Sequence, residues 1–487
     1  MIIMSSIIIQ AQNEVDVLRF SDTDIFGSAR FESMAGSFGA LGADFSSIQV
    51  NPAGLARFSR SDFTVSLNNS WSNITGVYNE TEAFETFRSS KLGNIGMIIT
   101  RDISNENNGW LFRQFYFGYT RIKNFDANYR YEGQNFNSLL DVFANDGFGI
   151  PMDNDQIFFD RPFSTGLGLD VNAISYDPQT VSYFPNLTSG DMYHERIIQT
   201  RGGIGDFHFG WSQNFMNQLY VGASGAARRV KYTENITHNE VLLEPDPSIT
   251  SLQSFDYFYD QESAGWGFHL KLGVLYLPKE ELRFGLAVET ANQITITEDY
   301  SANMIAYHDY GTVPVPEQFI PFGEYKYRVR TPGKIRGSLA YIFDMKGALN
   351  IDIEYVNFGR GRLSSDPSGE FGFYSFQVEN QEVANQYRAV LNTRIGAELM
   401  VAQDIFLRAG YALIPQAFRK DVVTERIPRQ TLATGIGYNG KKINLDLSYR
   451  ALNIPSEYYA FDPSQAQNRT SFSNWMQTVV VTFSTRF

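Results

Sequence analysis

The chain contains no cysteine and few charged residues, and each shortage restricts what the protein can do. Without cysteine there are no disulfide bridges, thiolate metal sites, iron–sulfur clusters or cysteine nucleophiles. Charged residues make up 19% of the 487 residues, where roughly 25% is usual. Asp and Glu outnumber Lys and Arg by 53 to 40, for a net charge of −13, so the basic surface of a nucleic-acid binder is not expected.

Long apolar runs are also missing. Mean hydropathy is −0.25, and no run approaches the roughly 20 residues that a membrane helix requires, which excludes a helical membrane protein. The chain is instead rich in aromatic residues, with 40 Phe, 27 Tyr and 5 Trp, and it carries 40 Gly. A membrane β-barrel is compatible with this composition, because its strands alternate lipid-facing apolar residues with lumen-facing polar ones.

The first eleven residues, MIIMSSIIIQA, form a short apolar run that ends in a small residue. We interpret residues 1–11 as a secretory signal peptide that lacks its basic start, with cleavage near Ala11. The alternative interpretation is a buried first strand.

From about residue 62 onward the dominant pattern is an alternation of apolar and polar residues, which places successive side chains on opposite faces of a strand. Residues 443–451 show it clearly, since Asn444, Asp446, Ser448 and Arg450 separate apolar or aromatic neighbours. Fourteen such runs are predicted to be strands: 62–72, 91–101, 110–123, 195–213, 218–235, 255–278, 282–300, 325–343, 347–360, 386–401, 404–414, 429–439, 441–451 and 470–487. Most reach the roughly 9 to 11 residues that a tilted strand needs to cross a bilayer.

The connections between these strands alternate between long and short along the whole chain. Segments 73–90, 124–194, 236–254 and 301–324 are long, and the connections between them are short. This asymmetry is typical of outer-membrane barrels. The soluble alternative is a large β-sandwich or a β-propeller. A propeller would repeat roughly every 40 to 50 residues, and no such repeat is present. A sandwich gives no reason for every second connection to be short. We therefore predict an all-β, 14-stranded antiparallel transmembrane β-barrel in the outer membrane of a Gram-negative-type envelope.

The last strand is alternating and ends at Phe487, which resembles the C-terminal strand by which the outer-membrane assembly machinery recognises its clients. Charged residues on the strands, such as Glu354, Arg408 and Asp446, are predicted to face the lumen, because a charge on the lipid face costs roughly 2 to 4 kcal/mol at mid-membrane. Residues 61–487 would form the barrel. Residues 12–60 do not alternate, and they are the candidate for a plug that folds back into it.

Part of this plug resembles a known family. The stretch AGSFGALGADFSSIQVNPAGLARF, residues 35–58, is similar to the N-terminal hatch of the FadL/TodX family of outer-membrane transport proteins for hydrophobic compounds. The resemblance covers hatch and barrel but not residues 133–194. Within the barrel it is carried by segments 265–289, 331–343, 404–418 and 429–452.

The resemblance implies a hatch-plugged barrel that carries long-chain fatty acids or other hydrophobic small molecules by passive diffusion, with lateral exit into outer-membrane lipid. It implies no enzyme activity and no cofactor. Expected ligand or hatch contacts are apolar side chains, glycines that permit close approach, and the residues of the turn toward the wall: Phe31, Phe38, Leu41, Phe45 and Ile48; Gly36, Gly39 and Gly42; Asn51, Pro52 and Ala53. The alternative for each aromatic residue is that it only anchors the plug. Arg336 or Lys271 would hold a carboxylate head group.

Other chemistry is not expected. The five histidines never occur as a close pair at metal-ligand spacing, so no metal site is predicted. The Asp153–Asp155 stretch lacks the later Gly and Glu of a calcium loop. The remaining alternative to transport is a barrel subunit or docking scaffold of a larger outer-membrane assembly, such as a protein secretion complex. The long insert 124–194 would then contact an envelope protein partner.

Overall fold

The computed structural model describes residues 14–104, 109–187, 191–244, 251–344, 346–368, 374–420, 422, 426–461 and 468–487. The predicted signal peptide lies outside the described residues. Within them no helix is long and apolar enough to cross a membrane.

The dominant element is a closed antiparallel barrel of 14 strands, which confirms the predicted fold class. The described residues form 21 strand segments, because some wall strands are interrupted and carry two labels, and one short hairpin lies outside the barrel sheet. The first strand pairs with the last from Asp62 opposite Arg486 to Tyr78 opposite Thr470, and this pairing closes the sheet. The strands are β1 Asp62–Tyr78, β2 Thr81–Asp102, β3 Trp110–Asn124, β4 Ala127–Asn135, β5 Ile174–Asp177, β6 Ser182–Pro185, β7 Met192–Phe215, β8 Leu219–Leu242, β9 Leu252–Tyr276, β10 Leu282–Glu289, β11 Gln293–His308, β12 Gly311–Pro314, β13 Phe322–Arg330, β14 Lys334–Phe343, β15 Gly347–Asn357, β16 Arg362–Ser365, β17 Ala389–Ala402, β18 Ile405–Ile414, β19 Arg429–Asn439, β20 Ile443–Tyr459 and β21 Arg469–Arg486.

The helices are short and lie inside the barrel or at its mouth. They are α1 Glu14–Ser21, α2 Ala29–Ser33, α3 Leu139–Asp146, α4 Gln156–Asp160, α5 Thr165–Asp170 and α6 Gln377–Gln386, with 3₁₀ turns at Phe45–Gln49, Pro52–Arg57, Asp153–Asp155, Glu317–Phe319 and Phe358–Arg360.

Strand β9 shows the two faces of the wall. Trp266 and Leu272 are more than half exposed, whereas His269 and Lys271 are buried in the lumen. Before Trp266 the outward residues become polar, for example Glu262. At the tilt of roughly 40° that is usual in outer-membrane barrels, a strand from Trp266 to Tyr276 spans about 25 Å, the height of the apolar band of such a barrel. Glu354 and Arg408 are buried in the lumen as predicted.

Several strands are longer than the sequence pattern indicates, and here the predicted loop lengths are wrong. Segment 73–90 is not a loop: β1 continues to Tyr78, two residues with positive φ, Asn79 and Glu80, make the turn, and β2 starts at Thr81. Strands β8 and β9 likewise extend into the predicted loop 236–254. Beyond the apolar band the outer face contacts water, so the pattern that identified these strands fades while their backbone pairing continues.

The long insert 124–194 begins as β4 and then folds over the mouth of the barrel. Leu139, Phe143 and Leu167 are fully buried in a cluster with Tyr257 and Met304 of the wall strands. The helices α3 to α5 and the β5–β6 hairpin thus form a cap whose apolar side faces inward. An envelope partner for this insert stays a prediction.

Candidate functional site

The segment from Glu14 to Phe58 lies inside the barrel, and almost every side chain in it is buried. We refer to it as the hatch. Its short helical turns are fixed by local caps: the Ser28 hydroxyl accepts from the Phe31 amide, and the Asp44 carboxylate accepts from the Ser46 amide. Such caps satisfy amide groups that a short helix cannot pair itself.

The predicted apolar residues of the hatch separate into two clusters. Phe31, Phe38, Leu41 and Ala53 pack with wall residues such as Leu275. The second cluster joins Phe45 and Ile48 to Ile98 and Tyr116 of the opposite part of the wall. Both clusters fasten the hatch to the barrel.

Gly39 lies so close to the wall that no side chain fits at its position. A Cβ atom on this glycine would lie 1.9 Å from Ser338 Oγ and 2.7 Å from Asp352 Oδ1. The Asp352 carboxylate accepts hydrogen bonds from the Phe38 amide at 2.7 Å and the Gly39 amide at 3.2 Å. A side chain here would therefore separate the hatch from its carboxylate anchor. Two neighbouring glycines have left-handed backbone instead: Gly36 with φ +73° and Gly42 with φ +66°.

Asn51 links the hatch turn to the wall. Its Nδ2 donates to Gly39 O at 2.8 Å and to Val274 O of β9 at 3.1 Å, while its Oδ1 accepts from the Ala53 amide at 3.1 Å. Pro52 occupies the first helical position after this cap, where its missing amide hydrogen is not needed. Asn51 therefore stabilises the turn and the contact with the wall at once.

Lys271 and Arg336 face the lumen, but both bind the hatch. Lys271 Nζ donates to Gln49 O at 2.6 Å, and Arg336 Nη1 donates to Val50 O at 2.8 Å. These carbonyls end a 3₁₀ turn, where a cation is favoured. Lys271 also pairs with Glu289, and Arg336 pairs with Glu354. With these partners, neither residue is the open head-group site that the sequence suggested.

Buried ion pairs complete the fastening. Glu32 and Arg450 lie 3.1 Å apart and are both fully buried. Burial raises the pKa of the Glu32 carboxyl, and Arg450 opposes that rise. Arg30 forms two 2.9 Å hydrogen bonds with Glu398. Breaking one partner of such a pair leaves an uncompensated buried charge, which typically costs about 3 to 5 kcal/mol.

Above these anchors the barrel contains a cavity of about 130 Å³ that opens to solvent. The hatch contributes to its lining through α1 and the residues after it, including Val15, Leu18 and Arg19. The rest of the lining is rich in aromatic rings: Phe125, Tyr129, Tyr232, Phe358, Phe418, Tyr458 and Phe472. None of the eleven hatch positions singled out from the sequence lines this cavity. Helix α1 went unnoticed because eight residues are too few for a clear helical period.

Each cation that lines the cavity is paired with a carboxylate. Arg19 pairs with Asp16, Lys123 with Asp22, and Arg429 with Asp22 and Asp24. Burial alone would raise the pKa of Asp22, but Arg429 and Lys123 outweigh it and hold that pKa below its ordinary value. The lining therefore combines apolar rings with neutralised charge pairs.

The wall next to this cavity lacks backbone pairing at one place. Strand β2 pairs with β3 only from Asp102 to Asn94, although it stays paired with β1 up to Thr81. Beyond Thr120 the partner strand bends inward, and its continuation β4 packs against β1: a Cβ on Gly76 would lie 2.3 Å from Arg130 O. We call the unpaired edge between residues 81–93 and 121–135 the seam. It begins just beyond the exposed Ile95.

Among the described residues, the seam near its start is bridged by side chains. Asp126 accepts a hydrogen bond from Ser89 Oγ at 2.7 Å and pairs with Lys91 Nζ at 2.8 Å. Residues Lys123–Ala127, which form the bend, also line the cavity. The cavity and the seam are thus adjacent.

Comparison with known proteins finds similar barrels among solved structures. Neither the family models nor the curated proteins gave a match. Among solved structures, the toluene transporter TodX of Pseudomonas putida matches with a TM-score of 0.53 at 15% identity, over 95% of this chain and 99% of that one. A FadL homologue of Pseudomonas aeruginosa matches with a TM-score of 0.55 at 12% identity, over 96% and 99%.

The chain therefore has the fold of the FadL/TodX barrels, as its hatch sequence indicated. At these identities the likeness concerns the fold alone.

Gly39→Ala is expected to loosen the hatch, because the new methyl group overlaps Ser338 and Asp352. We expect a several-fold rise in leakage of a small hydrophilic dye from proteoliposomes that contain the protein. Gly337→Ala on the neighbouring wall is the control, since no atom lies within 4 Å of that added Cβ. Equal leakage from the two variants would contradict a role for Gly39 in seating the hatch.

Proposed function

We propose that this chain is an outer-membrane channel that moves hydrophobic small molecules inward by passive diffusion. The observation that carries the proposal is the adjacency of an aromatic-lined cavity and a seam without backbone pairing in an otherwise closed barrel. Two of the structural neighbours, a toluene transporter and a FadL homologue, support the same function.

In this proposal the ligand enters at the cap, reaches the cavity and leaves through the seam. Exposed aromatic residues on and beside the cap, including Phe136, Phe148 and Phe159, offer an apolar surface for capture. The hatch blocks the straight route below the cavity, because its anchors span the barrel. An apolar ligand gains about 0.8 kcal/mol for each CH₂ group that leaves water. Sideways exit into lipid is therefore favoured over release into the periplasm.

The cavity lining bears on the class of ligand. An anionic head group needs a cation to replace its water, but Arg19, Lys123 and Arg429 already pair with carboxylates. Aromatic rings offer stacking partners to flat apolar molecules. The lining thus favours an uncharged, preferably aromatic ligand over the carboxylate of a long-chain fatty acid. Competition between unlabelled toluene and a labelled fatty acid for uptake distinguishes the two.

The hatch would respond to the ligand through α1. The segment that follows α1 holds Lys123, the first residue of the bend at the seam, through Asp22 at 2.8 Å, and the Asp24 amide donates to Ile122 O at 3.0 Å. A ligand in the cavity contacts α1 and can displace it. The displacement of α1 is then passed to the strand that borders the seam.

Ser72→Trp is expected to reduce uptake of toluene into cells several-fold. Ser72 lines the cavity from β1 and is buried, so an indole at this position fills space that the ligand would occupy. Ser72→Thr is the matched control and should keep uptake near the wild-type level. Wild-type uptake by the Trp variant, with equal amounts of folded protein in the outer membrane, would contradict ligand passage through this cavity.

Closing the seam with a disulfide is expected to abolish uptake and leave the barrel intact. Ser89 and Asp126 face each other across the seam, and the chain has no other cysteine to interfere with Ser89→Cys and Asp126→Cys. Uptake should stop under oxidation and return on reduction.

The control pair is Ser70→Cys with Thr478→Cys, whose native hydroxyl oxygens lie 3.0 Å apart on the paired strands β1 and β21. Oxidation of this pair should leave uptake unchanged. Full uptake by the oxidised Ser89/Asp126 variant would show that the ligand takes another route and would overturn lateral exit, while leaving the transport function itself intact.

A further inference from the structure

Three potential metal ligands meet on the inner face of β7 and β8, far from the hatch. His194 lies directly opposite Glu240 in the strand register, and His238 precedes Glu240 by two residues on the same face. The group lies well beyond Gly205, which is in register with Trp266 at the edge of the apolar band, so it belongs to the part of the barrel outside the membrane. All three side chains are fully buried. Their separation in the sequence hid this pairing, which arises only across strands.

The three groups lie close enough together to bind one metal ion. One ligand atom from each residue lies within 4.8 Å of the others. His238 Nε2 is 2.7 Å from Glu240 Oε1, and His194 Nε2 is 3.9 Å from Glu240 Oε2. Ligand atoms bound at about 2.0 to 2.1 Å around a tetrahedral ion lie roughly 3.3 Å apart. The two distances from the histidine nitrogens to the Glu240 oxygens, 2.7 and 3.9 Å, lie on either side of that value.

His194 supplies an independent indication of a missing ligand. Its side chain is completely buried, and neither ring nitrogen has a hydrogen-bond partner among the described residues. The rings of Tyr78, Phe461 and His238 surround it. Buried polar nitrogens are rarely left unpaired, because burial removes their water without compensation. A metal ion bonded to one of them compensates for that loss.

We propose that His194, His238 and Glu240 bind a divalent transition-metal ion of the zinc class. Two imidazoles and a carboxylate are a ligand set that zinc accepts, with one position left for water. Glu240 also accepts hydrogen bonds from Ser138 Oγ at 2.6 Å and the Leu139 amide at 2.8 Å, at the start of α3. The ion would therefore connect two wall strands to the cap.

Among the described residues, the positive charge of Arg196 lies next to the group and would weaken metal binding. Its removal therefore tests the proposal, because it should strengthen binding. Arg196 Nε donates to His238 Nδ1 at 3.1 Å, so in the metal-free protein the ring proton of His238 lies on Nε2, toward Glu240. Metal binding at Nε2 moves that proton to Nδ1, and the guanidinium must turn away. Arg196→Gln removes the positive charge and offers an amide oxygen to Nδ1–H, which is the usual support of a metal-bound histidine.

The experiment uses the full chain in detergent, without a polyhistidine tag, stripped with EDTA and titrated with Zn²⁺ and with Co²⁺ as a spectroscopic probe. We expect one Zn²⁺ per chain and the visible absorption bands of tetrahedral Co²⁺. His194→Gln should weaken binding at least tenfold, and Arg196→Gln should strengthen it. The control is His208→Gln, because His208 is equally buried on β7 and also lacks hydrogen-bond partners, but lies outside the group.

Heat-modifiable migration on gels verifies that each variant is folded, and any variant that fails this check is replaced by the Asn substitution at the same position. The proposal is overturned if the wild-type protein binds no more Zn²⁺ than His194→Gln, if His208→Gln weakens binding as much as His194→Gln, or if Arg196→Gln weakens it. These outcomes are independent of uptake, so they do not bear on the transport function.

Discussion

A strand in a bilayer must pair both of its backbone edges, because lipid offers no hydrogen bonds in place of water. Closure of β1 against β21 meets this requirement for the barrel as a whole. The seam between β2 and the β3–β4 bend is the exception, and it begins where the apolar outer face gives way to polar residues. The height of the seam is important, because unpaired backbone groups cost much free energy in the hydrocarbon core, whereas water can reach them at the border of the core. In the proposed function, the start of this edge, next to Ile95 at the border of the apolar band, is the path of an apolar molecule to lipid.

In the proposed function, the hatch is the reason for a side exit. Its contacts with the wall are distributed around the barrel: Asp352 on β15, Lys271 on β9, and Arg450 on β20. Removing the whole plug would require breaking several buried charged contacts together. A local displacement of α1, which borders the cavity and ends near Asp22 and Lys123, involves far fewer of them. In the proposed function, these contacts would pass a small movement inside the barrel to the wall at the seam.

The sequence predicted the barrel well, because lipid imposes a strict two-face pattern on strands such as β9 and β20. It predicted the strand ends poorly, since residues 81–90 contact water on the outside and lose that pattern. The resemblance to the family implied roles for the hatch glycines and for Asn51. The contacts that explain these roles join residues more than 200 positions apart in the sequence, namely Ser338, Asp352 and Val274. The cavity went unpredicted for the same reason: its lining comes from separate strands and from α1. The meeting of His194 with His238 depends on the register of β7 and β8, which the alternation pattern does not specify.

The proposed route depends most on the seam remaining an edge without backbone hydrogen bonds when the protein is in the membrane. Residue-resolved hydrogen exchange in lipid nanodiscs measures this directly, since unpaired amides exchange fast and paired amides exchange slowly. The amides of residues 82–92 that point toward β3 should exchange rapidly, while those that point toward β1, and the amides of residues 95–101, should stay protected. Uniform protection of both edges of β2 would show that the wall is closed and would contradict the account.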